Sequence, residues 1–199
     1  METFRYFALN KPYGMLSQFT HEGDNKSLAD LKFSFPKDVY PIGRLDSDSE
    51  GLILLSNDPA INHAILTPEK AHWRKYLIQV EGLITEKECI PLMEGVRFSL
   101  KGKIYTSLPC KAETVLGPVD FPEREPPVRF RKNIPTSWLT LELREGKNRQ
   151  VRKMTAAVGF PTLRLIRIGI EKLSLGKLEP GEVIEYDRRV FLQKLNLKA

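Results

Sequence analysis

The residues Gly43-Arg44-Leu45-Asp46-Ser47-Asp48-Ser49-Glu50-Gly51 form an acid-rich loop that runs directly into Leu52-Ile53-Leu54-Leu55. This junction constrains the fold more than any other stretch. A short, partly β-branched apolar run closed by Ser56-Asn57-Asp58 reads as a buried strand. The preceding Val39-Tyr40-Pro41-Ile42 also reads as extended, because Pro41 biases its neighbour away from helix. Carboxylates are therefore held rigidly at the mouth of a buried strand. Three roles compete for the loop: a solvated turn, a calcium site, and a catalytic carboxylate. Asp46-x-Asp48-x-Glu50-Gly51 copies the first half of an EF-hand loop, but Asn57 stands where the bidentate Glu belongs and a strand intervenes. Calcium is set aside on that ground. Spacing alone does not choose between the other two roles.

The 199 residues, 41% of them hydrophobic, suit one domain or two closely packed lobes with a real core. No apolar run approaches the roughly eighteen residues of a membrane span. The opening Met1-Glu2-Thr3-Phe4-Arg5-Tyr6-Phe7 lacks a signal-peptide layout, so a cytoplasmic protein is expected. Cys89 and Cys110 are isolated and form neither a secreted framework nor a zinc pattern; one disulfide between them stays open. His21, His63 and His72 lack metal spacing, and no metal is expected. Between residues 129 and 153, eight basic side chains face two acidic ones, an excess equal to the +6 net charge of the whole chain. A basic region this concentrated suits a polyanion, most simply nucleic acid, against the alternative of an idle solvated face.

Taken in order, Phe4 to Leu9 reads as a strand, Asn10 to Gly14 as a turn, and Met15 to Phe19 as a returning strand. Ser27 caps a short helix through Leu31. Asp58 and Pro59 start a helix that runs to about Leu66. Lys75 to Val80 has strand propensity. Thr85 and Glu88 form a capping box, with Gly95 as the stop. Residues 100 to 135, broken by Gly117-Pro118, Pro122, Pro126-Pro127 and Pro135, read as a basic insertion or long loop carrying Arg124, Arg129, Arg131 and Lys132. Trp138 to Leu143 alternates as a half-buried strand. Asn148 is read as the cap of a helix from Arg149 to Val158, with Val151, Met154 and Val158 facing inward. Leu163 to Ile170 is apolar but punctuated by Arg164 and Arg167, Leu173 to Leu175 and Val183 to Tyr186 flank a turn at Pro180-Gly181, and a last helix is read from Arg188 to Leu195, capped by Asp187. The sum is an α+β fold with a mixed, largely antiparallel sheet flanked by helices.

Several long motifs carry a resemblance. GRLDSDSEGLILLSND, then Lys75-Tyr76, then EGKNRQVRKMTAAVGFPTLRLIR, together with the opening FALNKPYGMLSQF, resemble the RsuA-type pseudouridine synthases. Ile134-Pro135-Thr136-Ser137-Trp138-Leu139 and the proline-broken insertion resemble the RluE subgroup, which modifies a uridine of 23S large-subunit ribosomal RNA. The resemblance covers nearly the whole chain and implies a single catalytic domain of two packed lobes. Many relatives begin with a small S4 RNA-binding module. Here the resemblance starts at the catalytic domain, so target selection is expected to rest on that domain's own surface, including the insertion.

The family reaction breaks the bond between uracil N1 and ribose, turns the base and rejoins it through C5. It consumes nothing, so no cofactor is expected. By resemblance Asp46 is the catalytic carboxylate, as nucleophile or as general base. Arg152 matches its basic partner, Tyr76 the aromatic that stacks on the flipped base, and Leu165 an apolar residue packing there. Flipping costs a few kcal/mol, and an aromatic platform returns roughly 1–3 kcal/mol per base. Arg44 is the candidate for the gap left by the base or for its flanking phosphate, and Lys147, Arg149, Lys153 and Arg167 for the RNA backbone track. Neutralising about six phosphates on single-stranded RNA gives a log–log salt slope near −4. Asp48 and Glu50 are expected to be structural. The expected partner is large-subunit ribosomal RNA, bound by a monomer, with no membrane involved. A catalytically idle ribosome-assembly factor, a base-releasing N-glycosidase and a synthase acting on another RNA are the competing functions.

Overall fold

A computed structural model describes residues 4–129 and 131–198. In chain order the elements are β1 (Tyr6–Lys11), β2 (Tyr40–Ile42), β3 (Glu50–Ser56), α1 (Pro59–Leu66), β4 (Arg74–Glu81), α2 (Glu86–Glu94), β5 (Arg97–Leu100), β6 (Lys103–Thr106), β7 (Lys111–Val115), β8 (Thr136–Leu143), α3 (Gln150–Ala157), β9 (Thr162–Ile170), β10 (Leu173–Ser174), β11 (Val183–Tyr186) and α4 (Arg188–Lys194). The architecture is α+β, mixed and mostly antiparallel, as the sequence pattern implies. The chain divides into two compact units, Trp73–Leu165 and the residues on either side of it. No helix among the described residues is long and apolar enough to cross a membrane.

In the flanking unit, β1 pairs antiparallel with both β11 and β3, and β3 pairs in parallel with the later residues of β9. Both β1 and β3 are buried along their whole length. Period two explains how. Phe7 and Leu9 enter one apolar cluster with Met15, Leu28, Val39, Ile53 and Leu55. Tyr6, of opposite parity, packs its ring against Phe191 of α4 at 5.2 Å and donates its hydroxyl to Asp58 Oδ2 at 2.8 Å. Asp58 also accepts from Ala60 N at 3.0 Å, which caps α1 as expected. At Gly51 the chain passes so close to β9 that a Cβ would lie 2.3 Å from the Arg167 carbonyl oxygen.

In the central unit, β4 and β8 pair over their full length and β7 adds to the far side of β8. Alternate residues Tyr76, Ile78 and Val80 face a core shared with Leu92 of α2, Leu139 and Leu141 of β8, and Met154 of α3.

Three expectations are corrected. Met15 to Phe19 is not a strand; it makes one isolated bridge, Met15 to Lys26, and Ser17 spends its hydroxyl on Leu45 instead. The stretch 100–135 is not one loop, because β6 and β7 lie within it; the breakers cluster after Leu116, where the longest irregular part of the stretch lies. Asn148 does not cap α3. Arg149 takes the cap position in a left-handed conformation (φ 52°), and the Gln150 side chain accepts from Lys147 N at 2.9 Å. Cys89 and Cys110 are both buried free thiols, so no disulfide joins them.

Candidate active site

The acidic loop is held by its backbone, and the holding groups come from the N-terminal turn. Ser17 Oγ donates to the Leu45 carbonyl at 2.8 Å and accepts from Leu45 N at 3.0 Å, which uses both capacities of one hydroxyl on the residue before Asp46. Ser49 N donates to the Asp46 carbonyl at 3.0 Å, closing a tight turn. Gly14 N donates to the Ser47 carbonyl at 2.8 Å. The loop is thus pinned at three successive residues, while Asp46 itself stays half-buried and Arg44 exposed. The strand β3 begins at Glu50, so the second half of an EF-hand loop cannot form.

Beneath the loop lies Lys11, which sequence reasoning passed over. Its side chain is fully buried, and its ammonium donates to the carbonyls of Met15 at 2.7 Å, Pro12 at 2.9 Å and, more weakly, Ser47 at 3.4 Å. Burial pushes its pKa down to about 8, against the pull of Glu50, Asp48 and Asp46, with Arg167 adding to the depression. The carboxylates therefore surround a cation built into the floor. The signal was present in the sequence: Lys11 shares the parity of Phe7 and Leu9, so a strand reaching residue 11 must bury it on their face. Glu50 is 5% exposed at the start of β3, which suits the structural role expected of it, whereas Asp48 is half-buried.

Arg167 departs from expectation. It was placed on the RNA backbone track, but it is 5% exposed and its Nε donates to the Leu52 carbonyl at 2.7 Å. It braces β3 rather than presenting a surface cation.

The central unit carries the other site residues. Tyr76 and Leu165 are 8% and 6% exposed and belong to the same apolar cluster. Tyr76 sits opposite Leu141 in the β4–β8 ladder, so its ring is held by a paired strand. Lys147 and Arg149 are exposed, and Arg152 and Lys153 are half-buried on α3. The basic turn before α3 is built on one carboxylate. Glu145 accepts from Gln150 Nε2 at 2.5 Å, from Leu108 N at 2.8 Å and from the Tyr105 hydroxyl. The carboxylate pushes the Tyr105 phenol up to about 12, and Lys147 Nζ lies 5.5 Å from the centre of the same ring. Sequence reasoning gives Glu145 no more than a place in the turn, because its partners Tyr105 and Leu108 lie far away in the chain.

A rigid half-exposed carboxylate over a buried cation is a device for proton transfer or nucleophilic attack. A fixed aromatic and a basic helix suit a nucleotide substrate. Comparison with known proteins gives the family. Residues 5–157 match the model described as RNA pseudouridylate synthase. The chain is 44% identical over 182 residues to a ribosomal large subunit pseudouridine synthase E of Vibrio parahaemolyticus, covering 92% of this chain and 74% of the relative. It is 42% identical to the protein of the same name from Xanthomonas campestris, covering 87% and 91%. A solved structure described as a pseudouridylate synthase superposes with TM-score 0.77 at 27% identity, covering 98% of this chain and 75% of that one.

Proposed function

The chain belongs to the RNA pseudouridylate synthase family, and from that premise we propose that it converts a uridine of large-subunit ribosomal RNA to pseudouridine, with Asp46 as the catalytic carboxylate. The observation that carries the assignment to Asp46 is the loop itself. Leu45, Asp46 and Ser47 are each fixed through the backbone, so the one half-exposed carboxylate among them starts in place. Such preorganisation lowers a barrier by avoiding reorganisation at the moment of reaction.

In the proposed reaction the N1–C1′ bond breaks, the uracil turns, and a C5–C1′ bond forms. The C5 proton leaves to solvent and N1 is protonated, so atoms balance without a co-reactant. Tyr76 supplies the stacking ring and Leu165 the apolar neighbour in its own cluster. Arg152 supplies positive charge that keeps a carboxylate ionised once water is excluded. At about 4 Å and an effective dielectric of ~20 such a charge is worth on the order of 4 kcal/mol before desolvation. Arg44, Lys147, Arg149 and Lys153 are the proposed phosphate contacts. The enzyme acts in the cytoplasm as a monomer and needs no metal, so turnover should persist in chelator.

The test is release of tritium from large-subunit ribosomal RNA carrying 5-tritiated uridine. We expect release without free uracil, and a loss of roughly a thousand-fold or more in Asp46→Asn. Free uracil in place of pseudouridine would make the protein a glycosidase, and equal release by Asp46→Asn would remove that residue from the chemistry.

A further inference from the structure

The irregular segment after Leu116 is not used by the chemistry above, yet its end builds a concave surface. Arg131 of this segment pairs with Glu81 of β4 at 2.8 Å. Ile134 N donates to the Arg131 carbonyl at 3.2 Å, and Gly82 N to the Pro135 carbonyl at 2.8 Å. These contacts hold the segment as the wall of a groove of about 380 Å³, lined by Gln79, Arg129, Lys132, Asn133, Ile134 and Thr136 among others. The volume is near the lower end of the ~300–1,000 Å³ range of small-molecule sites, which suits a single unit of a chain rather than a helix.

The lining is of three chemical kinds. Ile134, at 37% exposure, offers an apolar face. Gln79 Nε2 donates to Thr136 Oγ1 at 3.1 Å, which leaves the Gln79 carbonyl oxygen as acceptor and the Thr136 hydroxyl proton as donor. Glu81 offsets the charge of Arg131, so the net positive charge of the groove comes from Arg129 and Lys132, both exposed. An apolar face, a donor–acceptor pair and two cations match base face, base edge and phosphate.

We propose that this groove holds one nucleotide of the single-stranded RNA flanking the target uridine, with its phosphate on Arg129 and Lys132 and its base against Ile134. The proposal rests on the RNA-modifying reading and adds a point of attachment on residues that the proposed reaction does not use. Phosphate contacts would set the register of the RNA, and the Gln79–Thr136 pair would favour one base edge.

The test uses the full chain, a fluorescent single-stranded oligouridylate, and tritiated large-subunit ribosomal RNA. Arg129→Gln/Lys132→Gln should keep the wild-type melting temperature, weaken oligonucleotide binding about tenfold, and make the log–log salt slope shallower by about 1.4. Ile134→Ala should weaken binding with the salt slope unchanged. On the ribosomal RNA the double variant should raise KM and leave kcat intact. Oligonucleotide binding is read without turnover, so the groove can stand even if the pseudouridine reading fails. Unchanged affinity and slope in the double variant would overturn the proposal. So would unchanged oligonucleotide affinity together with lost binding to protein-containing ribosomal particles, which would assign the groove to a protein.

Discussion

Lys11 shows what one buried charge does for a site. An ammonium removed from water is costly, and here three carbonyls and the nearby carboxylates offset only part of the cost. Lys11→Met keeps the bulk but strips the donors, which should destabilise the protein by about 2–4 kcal/mol at pH 7. The pH dependence has a definite sign. The folded pKa of about 8 lies below the ordinary 10.5, so between those values the unfolded chain holds a proton that the folded chain has released. Wild-type stability should therefore rise across that window, by at most about 3 kcal/mol, and carry the full penalty below it. The rise should be absent in Lys11→Met, as urea unfolding at a series of pH values will show. Arg167 teaches the complementary lesson. Its charge in an apolar strand looked like a surface cation, and only the register Gly51 to Arg167 reveals it as buried.

Among the elements, those whose cause is local were legible. Asp58 before Pro59, Ser27 before Leu28 and Asp187 before Arg188 each cap a helix where the sequence put them, because a cap needs only its own next few residues. Strands β3 and β8 were legible from run length and alternation. The β5–β6 hairpin and β7 were missed because their pairing, to each other and to β8, outweighs weak local signals. The start of α3 was misplaced for a similar reason: Glu145 binds Gln150, Leu108 and Tyr105 together and thereby fixes the turn. Glu145→Gln should lower the Tyr105 pKa from about 12 toward the ordinary phenol range, with the part due to burial retained, visible in the phenolate absorbance after subtraction of the wild-type curve. The same variant should weaken RNA binding a few-fold by loosening the turn that carries Lys147 and Arg149. In the candidate site, Asp46, Tyr76 and Arg152 were named through motif resemblance. Ser17, which holds the loop, was hidden because its contact with Leu45 crosses from one segment to another.

For the whole molecule, the division into units predicts how its parts behave when separated. Trp73–Leu165 is continuous in sequence and contains a core running from Tyr76 to Leu165. Expressed alone, residues 73–165 should unfold cooperatively, as circular dichroism will report. A chain ending at residue 165 should lack the flanking unit's order, because β1 loses β11 and β3 loses β9. Hydrogen exchange should then find β1 unprotected and β4 protected. The flanking unit is closed by β9, β11 and α4, so the residues translated early in it are finished late. A growing polypeptide can condense its middle while still tethered to its ribosome. The sheet that contains β1 and β3 gains its last strands only as Val183–Tyr186 emerges, so the flanking unit of the nascent chain is completed last.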